Sequence, residues 1–263
     1  MSRPKENYPN FYIFKYHLLK SLKKIINRDT GKDGWDMFDW SLYNLHFRGE
    51  IKETGKLFTI TLKSKDYVFN DAGLIQADTN IKPLHPLWCL LYETILQLKP
   101  DSVLEMGCGS GLHLKNISVI APDIRLSGFD RSPEQIAFLH ELFPDLRANI
   151  FVGDATTDSS FPSADIAYTM AVIMHIHKGD THLTALANLF NSANKQVVMV
   201  ERWKNHDFMT DILNLQKTGK INWKNILFYA RGNEKEHGSR IMVCSKTPLN
   251  YEAATSYDIF PKN

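Results

Sequence analysis

From residue 85 onward, apolar and polar positions alternate between two periods. "HPLWCLLYETILQLKP" places Leu87, Leu91, Ile95 and Leu98 at helical spacing, and Pro100 stops the helix. "SVLEM" then reads as a short buried strand and "LHLKNISVI" as a helix ended by Pro122. "RLSGFD" is a strand. "SPEQIAFLHELF" is a helix with Ser132 as N-cap and Pro133 in the first position. "ANIFVGD" and "DIAYTM" are strands, "DTHLTALANLFNSA" a helix, "QVVMVE" a strand and "DFMTDILNLQ" a helix. "ILFYA" and "RIMVC" flank the polar turn "RGNEKEHGS" and close the pattern as an antiparallel hairpin. Strands that are apolar throughout, alternating with helices, predict an α/β fold whose mostly parallel sheet is covered on both faces.

The first 80 residues lack this regularity. "FYIFKYHLLKSLKKIINR" carries Leu18, Leu22, Ile25 and Ile26 on one side, and Lys15, Lys20, Lys23, Lys24 and Arg28 elsewhere. An aromatic-rich stretch follows, with Trp35, Phe38, Trp40, Tyr43 and Phe47. "KLFTITLKSKDYVFN" alternates apolar and polar residues and reads as a hairpin or two short strands. The expected organisation is a cap over residues 1–80, a core over 81–250 and a C-terminal tail over 251–263.

Three glycines at alternate positions, Gly107, Gly109 and Gly111 in "LEMGCGSGLH", join the first core strand to its helix. In an open parallel sheet the ligand sits beyond the carboxyl ends of the strands, at such a turn. Glycine lets the backbone bend sharply and a ligand approach closely. A dinucleotide fingerprint would place its third glycine where Leu112 stands. Glu105 beside the loop would repel a pyrophosphate and would suit a ligand that carries an ammonium group.

With these residues in place, the chain resembles the class I S-adenosylmethionine-dependent methyltransferases over about residues 85 to 246. An acidic residue followed by G-x-G-x-G after the first strand is their first motif. The resemblance implies a doubly wound, mostly parallel seven-stranded sheet of Rossmann-like type, with S-adenosyl-L-methionine as cofactor. It further implies cofactor contacts by Glu105, Gly107, Cys108, Gly109 and Gly111 in the loop. Asp130 and Arg131 would stand at the ribose, Asp154 and Ala155 at the adenine, and Met170 and Ala171 at the methionine end. Asp165 lies at the wrong end of its strand for the pocket and reads as structural.

Methyl transfer to oxygen also needs a base. His175 and His177, just beyond the fourth core strand, are the candidates, with His175 first because many members of the family carry a histidine in this segment. Glu201 after the fifth strand is the third catalytic candidate; His206 and Trp203 could also face the acceptor. The pair His175 and His177 has no adjacent partner set, so no metal is expected. The Asn-Pro-Pro-aromatic motif of amino-methylating nucleic-acid enzymes is absent; "TMAV" stands in its place.

Composition narrows the picture only slightly. The 263 residues are 43% hydrophobic and 23% charged with net charge +2, so neither nucleic acid nor a membrane surface is called for. Three scattered cysteines, a polar N-terminus and no apolar run near the ~20 residues of a membrane span suggest a cytoplasmic protein. The expected acceptor is a small molecule such as a sugar, phosphosugar or glycan precursor. The competing readings are an NAD(P)-dependent oxidoreductase, a methyltransferase acting on protein or RNA, and an inactive cofactor-binding partner subunit. The oligomeric state stays open.

Overall fold

The computed structural model describes residues 61–261. The expected N-terminal helix, its basic face and the aromatic stretch lie outside the described residues. A two-stranded hairpin comes first, β1 (Tyr67–Asn70) and β2 (Gly73–Gln76). Its first strand is the end of "KLFTITLKSKDYVFN", which pairs with residues just beyond that stretch; residues 56–60 of the stretch lie outside the described residues.

The remaining elements follow the predicted order closely. They are α1 (Pro86–Gln97), β3 (Ser102–Met106), α2 (Leu112–Ile120), β4 (Arg125–Asp130), α3 (Pro133–Leu142), β5 (Ala148–Val152) and β6 (Ala164–Met170). A single 3-10 turn, Ile173–His175, comes next. Then come α4 (Thr181–Asn191), β7 (Ala193–Val200), α5 (Phe208–Lys217), β8 (Leu227–Arg231), α6 (Glu234–His237), β9 (Ile241–Ser245) and β10 (Glu252–Ala253). Ser132 caps α3 as expected, its hydroxyl accepting from Gln135 N at 3.2 Å. The polar turn of the closing hairpin holds the short α6.

The main sheet runs β10-β8-β9-β7-β6-β3-β4-β5. Strands β5, β4, β3, β6 and β7 are parallel, and β9, β8 and β10 continue antiparallel. The sheet therefore has eight strands. Seven match the expected doubly wound arrangement, and the two-residue β10 is an addition too short to leave a periodic signal. The chain goes outward from β3 through β4 to β5, then returns to the other side of β3 at β6. This reversal opens a crevice beyond the carboxyl ends of β3 and β6.

Alternate residues supply the two faces. Val197 and Met199 of β7 join Leu104, Met106 and Phe129 in one apolar cluster; Val198 and Val200 join Val103, Ile166 and Tyr168 in the other. Period-two alternation with both sides apolar is the mark of a sheet buried between layers. The C-terminal segment packs closely: Phe260 is buried against Trp203, and the Tyr257 hydroxyl donates to the carbonyls of Trp203 and His206 at 2.7 Å each. No helix among the described residues is long and apolar enough to cross a membrane.

Candidate cofactor and acceptor site

The glycine loop bridges β3 and α2 at the mouth of this crevice. Gly107, Gly109 and Gly111 all have positive φ, at 72°, 50° and 73°. The three differ in what surrounds them. A Cβ on Gly107 would stand 2.5 Å from Val172 Cγ2, and one on Gly111 would stand 2.4 Å from Leu139 Cδ1. A Cβ on Gly109 would meet nothing within 4 Å. The outer two glycines thus permit close packing, whereas the middle one faces open space. The loop is tied down by Gly107 N and Cys108 N, both donating to the Phe129 carbonyl at 2.8 and 2.9 Å.

Asp130 ends β4 beside this loop. Its Oδ2 accepts from Gly109 N at 3.0 Å and its Oδ1 from Ser132 N at 2.9 Å. Burial raises its pKa, and the two backbone donors and Arg131 work against that. Each oxygen keeps a second lone pair, which is what recognition of two neighbouring hydroxyls requires. Arg131 itself is exposed.

Glu105 sits inside β3, paired in register with Tyr168 of β6, and is 2% exposed. Its Oε2 has no hydrogen-bond partner in the protein. Burial holds the carboxyl well above the ordinary carboxylate range; the nearby Tyr168 hydroxyl opposes this, and Asp130 adds to it. The Tyr168 hydroxyl lies close enough to favour the charge, yet outside hydrogen-bond geometry, so both groups stay unsatisfied. A buried carboxylate oxygen without a donor costs about 1–3 kcal/mol or more. A cationic ligand seated against the loop would offset that cost. Cys108 is buried, and burial pushes its thiol pKa well up.

Asp154 follows β5. Its Oδ1 accepts from both Thr156 N (2.9 Å) and Thr156 Oγ1 (2.7 Å), which caps its own turn. The buried Ala155 anchors that turn through its carbonyl, which accepts from Asn188 Nδ2 at 2.9 Å. On the other wall, Met170 ends β6 and Ala171 takes φ +56°, a left-handed conformation that alanine adopts at a cost of about 1–2 kcal/mol. Ala171 is exposed. No sequence signal marks this strained position, since alanine is common everywhere. Asp165, as expected, lies at the opposite end of β6, accepting from Asp101 N and Lys195 Nζ at 2.9 Å each.

Glu201, expected as a catalytic candidate, is 5% exposed and engaged on all sides. It accepts from Thr169 Oγ1 (3.0 Å), Val172 N and Ile173 N (3.3 Å each) and Met174 N (3.0 Å). Burial pushes its pKa up to about 7 against those four donors. The geometry gives Glu201 the work of holding the turn that carries Ala171 and His175. His175 is half-buried, and burial, with Arg202 and His177 adding to it, lowers its pKa to about 4. The ring is neutral near pH 7. His177 stacks on His206 with centroids 5.5 Å apart, its buried Nε2 unpartnered. Trp203 is buried in the core, its Nε1 donating to the Arg240 carbonyl at 3.1 Å, and so does not wall the crevice.

The residues present fit S-adenosylmethionine. The orphaned Glu105 oxygen suits its ammonium group, the open side of Gly109 admits it, and Asp130 offers free lone pairs to its ribose.

Residues 103–195 match a family model described as a methyltransferase domain. Among solved structures, a TehB-like S-adenosylmethionine-dependent methyltransferase from Corynebacterium glutamicum is 20% identical, with TM-score 0.48, over 63% of this chain and 90% of its own. The S-adenosylmethionine-dependent methyltransferase SibL is 14% identical, with TM-score 0.48, over 61% of this chain and 55% of its own. CalS10, an amino pentose methyltransferase from Micromonospora echinaspora, is 18% identical, with TM-score 0.39, over 45% of this chain and 50% of its own. The chain thus spans about half the length of the last two. The glycine loop, the acid at the end of β4 and the reversal of strand order all fall within residues 103–195, the segment that matches the methyltransferase-domain model.

Proposed function

We propose that the protein transfers the methyl group of S-adenosylmethionine to an oxygen of a small molecule, such as a sugar, phosphosugar or glycan precursor. The observation that carries the cofactor half of this reading is the pairing of Gly109's open side with the unpartnered Glu105 oxygen. The same buried acid disfavours the pyrophosphate of a nicotinamide cofactor, as does Leu112 in place of a third loop glycine.

The cofactor supplies an already activated methyl carbon on a sulfonium, so the protein's task is alignment of the acceptor and removal of its proton. In this reading Asp130 holds the ribose hydroxyls, while Asp154 and Ala155 border the adenine. Met170 and Ala171 line the methyl-bearing end. His175 takes the acceptor proton, and Glu201 acts through the turn it anchors. Support for an oxygen acceptor comes from the neutral ring of His175, in the 3-10 turn that follows β6.

The test is incubation with methyl-labelled S-adenosylmethionine and fractionated cell extract. Label in a small polar fraction, released as a methyl ether, supports the reading. Label confined to protein or RNA would replace the acceptor class, and no label in any fraction would favour the inactive partner subunit.

A further inference from the structure

A cluster of imidazoles lies where the first turns of α4 and α5 meet the segment after β7. His182 is the second residue of α4, Asp211 the fourth of α5, and His206 stands just before α5. One ligand atom from each of these three side chains lies within 4.8 Å of the others. His182 Nε2 is 3.4 Å from Asp211 Oδ2. The His182 and His206 rings are stacked, with centroids 4.2 Å apart and planes inclined by 15°.

A second observation points to a ligand. His182 Nδ1 and His206 Nε2 are buried atoms with no hydrogen-bond partner, as is Nε2 of the adjacent His177. Buried polar atoms in folded proteins nearly always find a partner, so the orphaned His206 Nε2 needs an explanation; on His182 the nitrogen facing Asp211 is Nε2, and the orphaned Nδ1 lies across the ring from it. The Ile173 carbonyl bonds to the His206 ring. With Nε2 orphaned, this contact suits the tautomer that carries its proton on Nδ1. A backbone carbonyl on the far nitrogen is the usual way a metal-binding imidazole is oriented.

We propose that His182, His206 and Asp211 bind a divalent transition-metal ion of the zinc class at the outer ends of β6 and β7. Two imidazole nitrogens and one carboxylate oxygen suit zinc, cobalt or nickel; magnesium and calcium prefer all-oxygen sets. A tetrahedral zinc ion with bonds of about 2.0–2.1 Å holds its ligand atoms about 3.3 Å apart. The stacked rings have lone pairs running side by side, so ligation fans one ring away from the other. The ion would join α4, α5 and the segment after β7, with its fourth position open to solvent or to the acceptor. This site does not depend on the methyl-transfer reading, and neither result decides the other.

Cobalt(II) titration of untagged, chelator-treated protein tests it. The expected result is one cobalt per chain with the intense visible bands of a tetrahedral site, displaced by zinc. The bands should be lost in Asp211→Asn, which keeps the side chain's shape, and in His206→Gln. They should persist in His140→Gln, at an exposed position on α3. A second readout needs no variant: zinc should protect His182 and His206, but not His140, from acylation by diethyl pyrocarbonate, read by peptide mass. Wild-type protein without bands, bands that survive both ligand substitutions, or equal acylation with and without zinc would each overturn the proposal.

Discussion

Alanine at Gly109 and alanine at Gly111 should do opposite kinds of damage, although both replace a loop glycine at positive φ. Alanine in the left-handed region costs about 1–2 kcal/mol, less roughly 0.4–1 kcal/mol for the lost flexibility of the unfolded chain. That backbone cost is common to the two positions. At Gly111 the new methyl would stand 2.4 and 2.5 Å from Leu139 Cδ1 and Cγ. Cγ is not a free end, and Leu139 is 1% exposed, so its neighbours must shift too. Overpacking of this kind adds about 1–3 kcal/mol. Gly111→Ala should therefore be less stable than Gly109→Ala by about 1–3 kcal/mol. Urea unfolding read by circular dichroism, with the slope against denaturant unchanged, measures this difference directly. Binding should rank the other way. Gly109→Ala places a methyl in the open space where the ligand would lie, and should lose S-adenosylmethionine affinity while remaining folded. If Gly109→Ala binds S-adenosylmethionine like wild type, or is destabilised as much as Gly111→Ala, the assignment of the middle glycine to the ligand is wrong.

His175→Ala should slow transfer to the true acceptor by about 10²-fold or more with S-adenosylmethionine affinity little changed; a near-normal rate would leave His175 as a packing residue. The same ring makes stability depend on pH. Its folded pKa of about 4 lies below the ordinary histidine value, so the unfolded chain binds the proton first. Stability should fall as pH drops from about 6.5 toward 4, less steeply in His175→Gln. Glu201 should act with the opposite sign. Its folded pKa of about 7 lies above the ordinary glutamate value, so its contribution is complete below about 4.5 and is lost as pH rises to about 7. Glu201→Gln should remove that slope, measured by urea unfolding between pH 4.5 and 8. An unchanged pH dependence in Glu201→Gln would mean that the four hydrogen bonds outweigh burial and keep Glu201 ionised.

The parts of this molecule legible in the sequence are those set by neighbours along the chain. Ser132 and Pro133 announce the start of α3 because capping is local. The central strands β3, β6 and β7 were visible because burial on both faces makes them largely apolar. The three loop glycines and Asp130 were visible because a strand, a turn and a helix follow one another within a few residues. The role of Glu201 was not, since the N–H groups it gathers belong to a turn 27 to 29 residues earlier, brought near by the β6–β7 pairing. For the same reason His175 and His177 suggested no metal partners, while His182, His206 and Asp211 meet only through the packing of α4 and α5. Asp154 shows a different limit: its position was predicted, but its carboxylate is already held by Thr156.

Calorimetric titration of S-adenosylmethionine into the wild-type protein and into Asp130→Ala tests the central claim most directly. One site per chain should appear in the wild type, weakened in Asp130→Ala by about 1.5–3 kcal/mol, the value of hydrogen bonds to a charged group. No binding heat with S-adenosylmethionine, binding of NAD in its place, or equal affinity in the two proteins would contradict the account.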